Sequence, residues 1–263
     1  MTSIRPIGDH LRMWRQRRRM SQLDLALEAE ISQKHLSFLE SGRSAPSRDM
    51  VLRLAERLSV PLRERNLMLL SAGYAPSYPE RSLDDPALKP AREVVELILK
   101  GHEPYPAIAI DRHWRLAASN AAVAPLLAGV SEPTLLQPPV NVLRLSLHPG
   151  GLAPQIENLP EWREHLLHRL RDQIAITGDP VLIRLLNELS TYPAPPAGEE
   201  SKPDYAGLAV PLRLASPTGT LSLLSCTTVF GTPIDVTLSE LALETFFPAD
   251  AATAEALRRV TSA

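Results

Sequence analysis

The sequence predicts two domains of different class: an all-α domain of five helices, then an α+β domain built on a five-stranded antiparallel sheet. Three observations predict it. Apolar residues recur at helical spacing up to about Gly73, whereas from Leu208 onward much of the chain alternates with a period of two. Between them, Tyr74 to Pro90 breaks the helical period with Pro76, Pro79, Pro86 and Pro90, as an inter-domain connection does. Charge divides at the same place. Residues 1–82 carry 14 Lys and Arg against 9 Asp and Glu, while the remainder carries 14 against 21. The expected layout is a helical domain over 1–75, a semi-rigid proline-rich linker over 76–90, and the α+β domain over 91–263.

At 263 residues the chain can bury two ordinary cores. No stretch approaches 18 apolar residues, so no membrane span is expected. Met1 to Arg19 is polar and arginine-rich rather than a signal segment, which predicts a cytoplasmic protein. The single cysteine, Cys226, excludes an internal disulfide and a cysteine-only metal cage, and its place in a strand predicts a small buried hydrophobe.

Ile7, Leu11 and Trp14 repeat at i, i+4 and i+7, which predicts a first helix over 7–19. Ser21 with Asp24 three residues on makes a capping box for the second helix. Ser32 caps a third, running to about Ser41, with Gly42 where a left-handed C-terminal cap belongs. Ser47 caps a fourth carrying Val51, Leu54, Ala55 and Leu58. Pro61 at the first turn opens a fifth through Leu62, Leu67 and Leu70 to Gly73.

The segment Ser21 to Ser47 therefore holds two short amphipathic helices joined by a tight turn. Leu25, Ala26, Ile31, Leu36 and Leu39 face inward; Gln33, Lys34, Ser37 and Phe38 face outward on the second helix. This is a helix-turn-helix, whose second helix lies in the major groove of DNA with its N-terminal residues at base edges. A plain helical hairpin with solvated faces would share the pattern, but the basic balance of residues 1–82 favours a polyanion partner. Glutamine can pair with adenine N6 and N7, and lysine can donate to guanine O6 and N7. Phe38 fits either a thymine methyl or the core.

Residues 7–73 resemble the phage-repressor (XRE, lambda-repressor-like) DNA-binding domain. The resemblance is carried by Arg15, Ser21-Gln22, Leu25-Ala26, Ser32-Gln33, Leu36, Leu39 to Arg43 and Pro46-Ser47. It implies that Gln22 meets phosphate, that Gln33, Lys34 and Phe38 face bases, and that Arg43 touches the backbone. It also implies a buried Arg15–Glu40 ion pair between the first and third helices. The candidate DNA-binding residues are Gln22, Ser32, Gln33, Lys34, Ser37, Phe38, Arg43 and Ser47. One departure is Glu30, which stands where the family turn usually has glycine.

In the second half, Ala91 to Lys100 reads as a helix. Pro106 to Ile110 and Trp114 to Ala118 read as a hairpin of two strands. Asn120 to Leu127 looks helical, and Asn141 to Leu147 is a short apolar stretch stopped by His148-Pro149-Gly150-Gly151. Trp162, Leu166, Leu170 and Ile174 mark a helix over 159–177, and Asp179-Pro180 opens another to Leu189. Thr191 to Asp204 reads as a loop. Leu208 to Leu214, then Leu221 to Cys226, then Leu241 to Thr245 alternate as three strands, before a closing helix over 251–260. Two strands, a block of helices and three strands describe one antiparallel sheet with helices on one face.

This half resembles the PAS-like ligand-binding domain of MmyB-type transcription regulators. The motifs are Pro104-Tyr105-Pro106, Asp111 to Trp114, Asn141 to Leu145 through His148-Pro149, Glu161 to Arg163, and Glu244 to Asp250. The resemblance implies a sensor cavity for an apolar small molecule, with a fatty-acid-like ligand a fair guess and no other cofactor. Candidate ligand-binding residues are Trp114, Leu143, Arg144, Leu147, His148, Trp162, Phe230 and Phe246. Arg144 and His148, four apart, suit a ligand carboxylate, although a surface arginine packed by its stem and an ordinary histidine are the commoner reading of such a pair.

No nucleotide loop, nucleophile elbow or i, i+4 histidine pair is present. Glu164-His165-Leu166-Leu167-His168 spaces its histidines i, i+3, wrong for the metalloprotease helix, so no enzyme, catalytic residue or metal is expected. The expected partners are double-stranded DNA, a small-molecule effector and a second copy of the chain, with no membrane. The alternatives are a C-terminal half that only dimerises, or an enzyme that autoregulates through DNA binding.

Overall fold

The computed structural model describes residues 5–193, 209–217 and 219–261. By its contacts the chain divides into two compact units, one made of residues 1–82 with 232–239, the other of 83–231 with 240–263.

In the N-terminal unit five helices form: α1 (Ile7–Arg17), α2 (Gln22–Glu28), α3 (Gln33–Glu40), α4 (Arg48–Arg57) and α5 (Leu62–Ser71). Three of them start on the serines expected to cap them. Ser21 Oγ accepts the Asp24 N–H while Asp24 accepts the Ser21 N–H, closing the capping box. Ser32 and Ser47 accept the N–H groups of His35 and Met50. Pro61 sits one position earlier than expected, as the N-cap of α5. The core gathers Leu11, Trp14, Leu25, Leu36, Leu39, Val51, Leu54 and Leu58, all fully buried. On α5 the buried pair is Met68 and Leu69, not Leu67 and Leu70, which stand exposed. A Cβ on Gly8 would come within 2.6 Å of the Glu40 carbonyl oxygen, so α1 lies on the end of α3 at backbone distance.

Glu30 adopts φ +56°, the left-handed conformation the turn demands. A non-glycine residue there costs about 1–2 kcal/mol, part of which glycine would return through its greater unfolded-state freedom, about 0.5–1 kcal/mol. Glu30→Gly is therefore expected to stabilise the unit by up to about 1 kcal/mol, read as a raised denaturant midpoint at unchanged slope.

Much of the proline-rich stretch is folded rather than a spacer. Asn66 binds it from both sides: its Nδ2 donates to the Tyr78 carbonyl and its Oδ1 accepts the Ser77 and Tyr78 N–H groups. Residues 232–239, far along the chain, complete this unit. The Val236 N–H donates to the Pro79 carbonyl at 2.8 Å, and Arg81 pairs with the buried Asp235 at 2.8 Å. Asp235 Oδ1 also accepts the Thr237 N–H, starting the short α10 (Val236–Ser239).

The C-terminal unit begins with α6 (Lys89–Gly101) and a hairpin of β1 (Ala107–Ile110) and β2 (Leu116–Ser119). The apolar stretch before His148 is a helix, α7 (Val142–Leu147), capped by Asn141. Next come α8 (Leu159–Thr177), ended by a left-handed Gly178, and α9 (Pro180–Ser190), capped by Asp179. β3 (Leu212–Ser216), β4 (Gly219–Val229), β5 (Ala242–Pro248) and α11 (Ala251–Thr261) complete it. The expected strand start at Leu208, and most of the expected loop before it, lie outside the described residues.

The five strands form one antiparallel sheet in the order β2-β1-β5-β4-β3. Helices do not keep to one face. The main core places Trp162, Leu166 and Leu170 of α8 with Leu212, Leu214, Leu221 and Leu223 of the sheet. Val95 and Leu99 of α6 pack with Ala107, Ala109, Leu241 and Leu243 in a second cluster. Side chains alternate across a strand, so Leu243 and its neighbour Glu244 belong to opposite faces, and both are buried. Cys226 is exposed, against expectation, as are its neighbours Thr227, Thr228 and Val229 at this end of β4.

Candidate nucleic-acid interface and ligand cavity

In the N-terminal unit, Ser32, Gln33 and Lys34 stand exposed on the first turn of α3, where unpaired N–H groups and the helix dipole favour an anion. Ser37 and Phe38 follow, half-buried. Phe38 lies outside the core. Its ring sits under two cations, with Lys34 Nζ 5.7 Å and the Arg43 guanidinium carbon 5.8 Å from its centre. Arg43 and Ser47 are exposed just beyond α3, after the left-handed Gly42. Seven of the eight expected residues therefore lie at the surface, Ser32, Gln33, Lys34, Arg43 and Ser47 exposed and Ser37 and Phe38 half-buried.

Gln22 is placed differently from a simple phosphate ligand. Its Nε2 donates to Glu40 Oε2 at 2.9 Å. Glu40, with its side chain fully buried, also takes Arg15 in a two-pronged bond, Nε to Oε1 at 2.6 Å and Nη2 to Oε2 at 2.9 Å. Arg15 Nη1 donates onward to the Met20 carbonyl, and Arg12 Nη2 to the Glu40 carbonyl. Burial pushes the Glu40 carboxyl up, but the bonds from Arg15 and Gln22 outweigh it and hold the group below its ordinary range. The same bond raises Arg15. This cluster ties the end of α3 to α1.

In the C-terminal unit a cavity of about 340 Å³ opens between the sheet and α7–α8. Ile108, Leu212, Leu214, Leu223 and Phe246 form its sheet wall; Val142, Leu143, Leu145, Trp162 and Leu166 its helical wall. Trp114, at φ +63°, closes one side. Its indole N–H donates to Gln173 Oε1 at 2.8 Å, and the Arg169 guanidinium lies 4.8 Å from its ring centre, so α8 holds this strained residue in place. The Trp162 indole N–H donates to Ser146 Oγ at 3.0 Å.

Of the eight expected ligand residues, Trp114, Leu143, Trp162 and Phe246 line the cavity and four do not. Because residues 142–147 are helical, Arg144 turns away from the side that presents Leu143 and Ser146. Its Nε and Nη2 donate to Glu188 Oε1 and Oε2 at 2.7 Å each. Those bonds hold Glu188 below its ordinary value, while burial and a hydrogen bond to Glu188 push Tyr192 up to about 12. His148 Nδ1 accepts the Gly150 N–H and its ring meets Tyr192 edge-on. Leu147 is core, and Phe230 packs on the α6 side of the sheet. No carboxylate clamp exists at Arg144 and His148.

Sequence reading missed Glu244, a buried acid on the cavity wall. The available signal was its parity on β5, shared with Phe246. Glu244 Oε1 accepts from both Arg169 Nη2 and Thr227 Oγ1. His165, stacked on Trp162, is held below its ordinary value by burial and by Arg169.

Comparison with known families agrees with both halves. A helix-turn-helix family model matches residues 11–65, and a model of the MmyB-like transcription regulator ligand binding domain matches residues 91–260. No curated protein matches the chain. Among the described residues no helix is long and apolar enough to cross a membrane. With a reading helix on the first unit and an apolar cavity in the second, the chain belongs to the MmyB-like transcription regulators, DNA-binding proteins that join an XRE-type helix-turn-helix to a ligand-binding domain.

Proposed function

We propose that this regulator reads specific sequence through Gln33, Lys34 and Phe38, fixes its register on phosphates through Arg43 and the capped helix N-termini, and answers to a small apolar effector. The observation that carries the effector is the cavity, walled almost wholly by leucine, valine, isoleucine and aromatic side chains. Its volume lies in the range of small-molecule sites, roughly 300–1,000 Å³. A half that only dimerised would need no such space in its core.

At roughly 30 Å³ per heavy atom, the share a water takes in the liquid, the cavity has room for about eleven. An alkyl chain of medium length, like that of a short fatty acid, suits that space. One reading helix makes a small interface, so the working form is a cytoplasmic homodimer on an inverted repeat. Effector binding and DNA binding would then be coupled reciprocally, typically by about 1–3 kcal/mol. The chain enters β5, a cavity strand, directly from residues 232–239, which fold with the N-terminal unit. That covalent path favours β5 as the carrier of the signal.

The test is duplex titration with the full chain. Gln33→Ala is expected to lose about 1–3 kcal/mol for the preferred base at one position and to relax discrimination there. Arg43→Ala should weaken all duplexes alike and shallow the salt slope by about one. Unchanged discrimination in Gln33→Ala would remove the reading helix from the account.

A further inference from the structure

Helix α6 carries two apolar faces. Val95 and Leu99 are buried on one, packed with residues of the sheet. The other turns to solvent: Leu97 is 71% exposed and Val94 46%, with Ile98 beside them. Pro90 and Gly101 extend it, both exposed. Pro90, Val94, Leu97 and Gly101 are spaced four, three and four apart, the rhythm of a coiled-coil seam. A single surface leucine needs no partner, but a continuous row along one helix marks an interaction site.

The charges beside the seam point to what covers it. Glu93 and Lys100, seven apart, share one flank and are both exposed. Ile98 occupies the other flank. When two such helices pair antiparallel about a two-fold axis, like flanks meet, so Glu93 of each copy faces Lys100 of the other. A parallel pair would set the charged flank against the apolar one. Glu93 does have Lys89 at 3.8 Å one turn back, but both of those side chains remain exposed.

We propose that α6 is the homodimer contact, packed antiparallel on its copy, with Val94 of each opposite Leu97 of the other and Glu93 opposite Lys100. The inference rests on the reading above that the working form is a homodimer. Such a contact uses one surface twice, so each substitution in it counts twice. Two helices about 20 Å long make a contact at the small end of interfaces, so the dimer depends on concentration.

The test is sedimentation velocity of the full chain over a concentration series, without DNA. The wild type is expected to pass from monomer to dimer. Leu97→Glu, a change at an exposed site that leaves the fold intact, should stay monomeric throughout. Glu93→Lys and Lys100→Glu each set like charges against each other and should weaken self-association about tenfold. An equimolar mixture of those two should recover the wild-type association as a heterodimer, in which unlike charges face again.

A wild type that stays monomeric overturns the proposal together with the homodimer reading. A Leu97→Glu protein that dimerises like the wild type overturns the proposal alone, since the homodimer then forms elsewhere. Charge variants that associate as the wild type does, or a mixture that recovers nothing, overturn the antiparallel pairing.

Discussion

Glu40→Ala is expected to lower the stability of the N-terminal unit by about 3–5 kcal/mol, because it strands the Arg15 guanidinium in a nearly closed site. The Arg15 side chain is 12% exposed and that of Glu40 is fully buried. Removing the carboxylate deprives Arg15 of two bonds and Gln22 of one. Replacing both partners with apolar residues of similar size should cost much less, since no charge is left alone. Chemical denaturation of the full chain, followed by a probe in the helical unit, reads the difference.

The same site has a pH signature. The Glu40 pKa is depressed in the folded state, so its contribution is complete above the unfolded value, about 4.3, and is lost as pH falls through the folded one. His10 acts in the same direction at higher pH. Burial, aided by Arg5, holds it below its ordinary value, so the folded state resists its protonation and loses stability as pH falls from about 6.5. Stability should therefore decline in two stages on acidification from neutral pH, and Glu40→Gln should shrink the lower one, to which Asp24 also contributes.

Trp162→Ala is expected to cost the C-terminal unit about 3–5 kcal/mol, the range for emptying a buried tryptophan site. Trp162 is 4% exposed, bonds Ser146, and stacks on His165 with ring centres 5.4 Å apart. In a unit of this size the loss corresponds to a fall in melting temperature of roughly 10 °C. Trp162→Phe keeps most of the packing and gives up one hydrogen bond, so a loss of about 1 kcal/mol is expected. Equal losses in the two variants would show that the ring does not pack as described.

The helical unit was legible because its signals are local. Ser21, Ser32 and Ser47 announce helix starts through bonds that span three residues, and the inward positions of α1 and α4 repeat at unambiguous spacing. On α5 apolar residues crowd both sides, and spacing alone did not choose Met68 and Leu69 over Leu67 and Leu70. The sheet was legible as five strands but not as two faces. With α6 on one side and α8 on the other, both parities of β5 are buried, and the alternation Leu241, Leu243, Thr245 drew attention from Glu244.

The cavity was half legible. Large aromatics are visible in any sequence, and Trp114, Trp162 and Phe246 fall on its wall. Arg144 was not, because its partner Glu188 lies on a different helix and only the fold brings the two together. For the same reason nothing in residues 232–239 foretold Asp235 beneath Arg81. Long-range pairing leaves no mark on local spacing. Gly8 is the converse case, a glycine inside a helix whose purpose shows only as the distance to the Glu40 carbonyl.

Selection of bound duplexes from a random pool by the full chain, repeated with Gln33→Ala, tests the central claim most directly. The expected result is an inverted repeat with half-sites one helical turn or a multiple apart, salt-sensitive binding, and loss of preference at one position per half-site in Gln33→Ala. A pool that emerges without enrichment, or the same motif selected by both proteins, would contradict it.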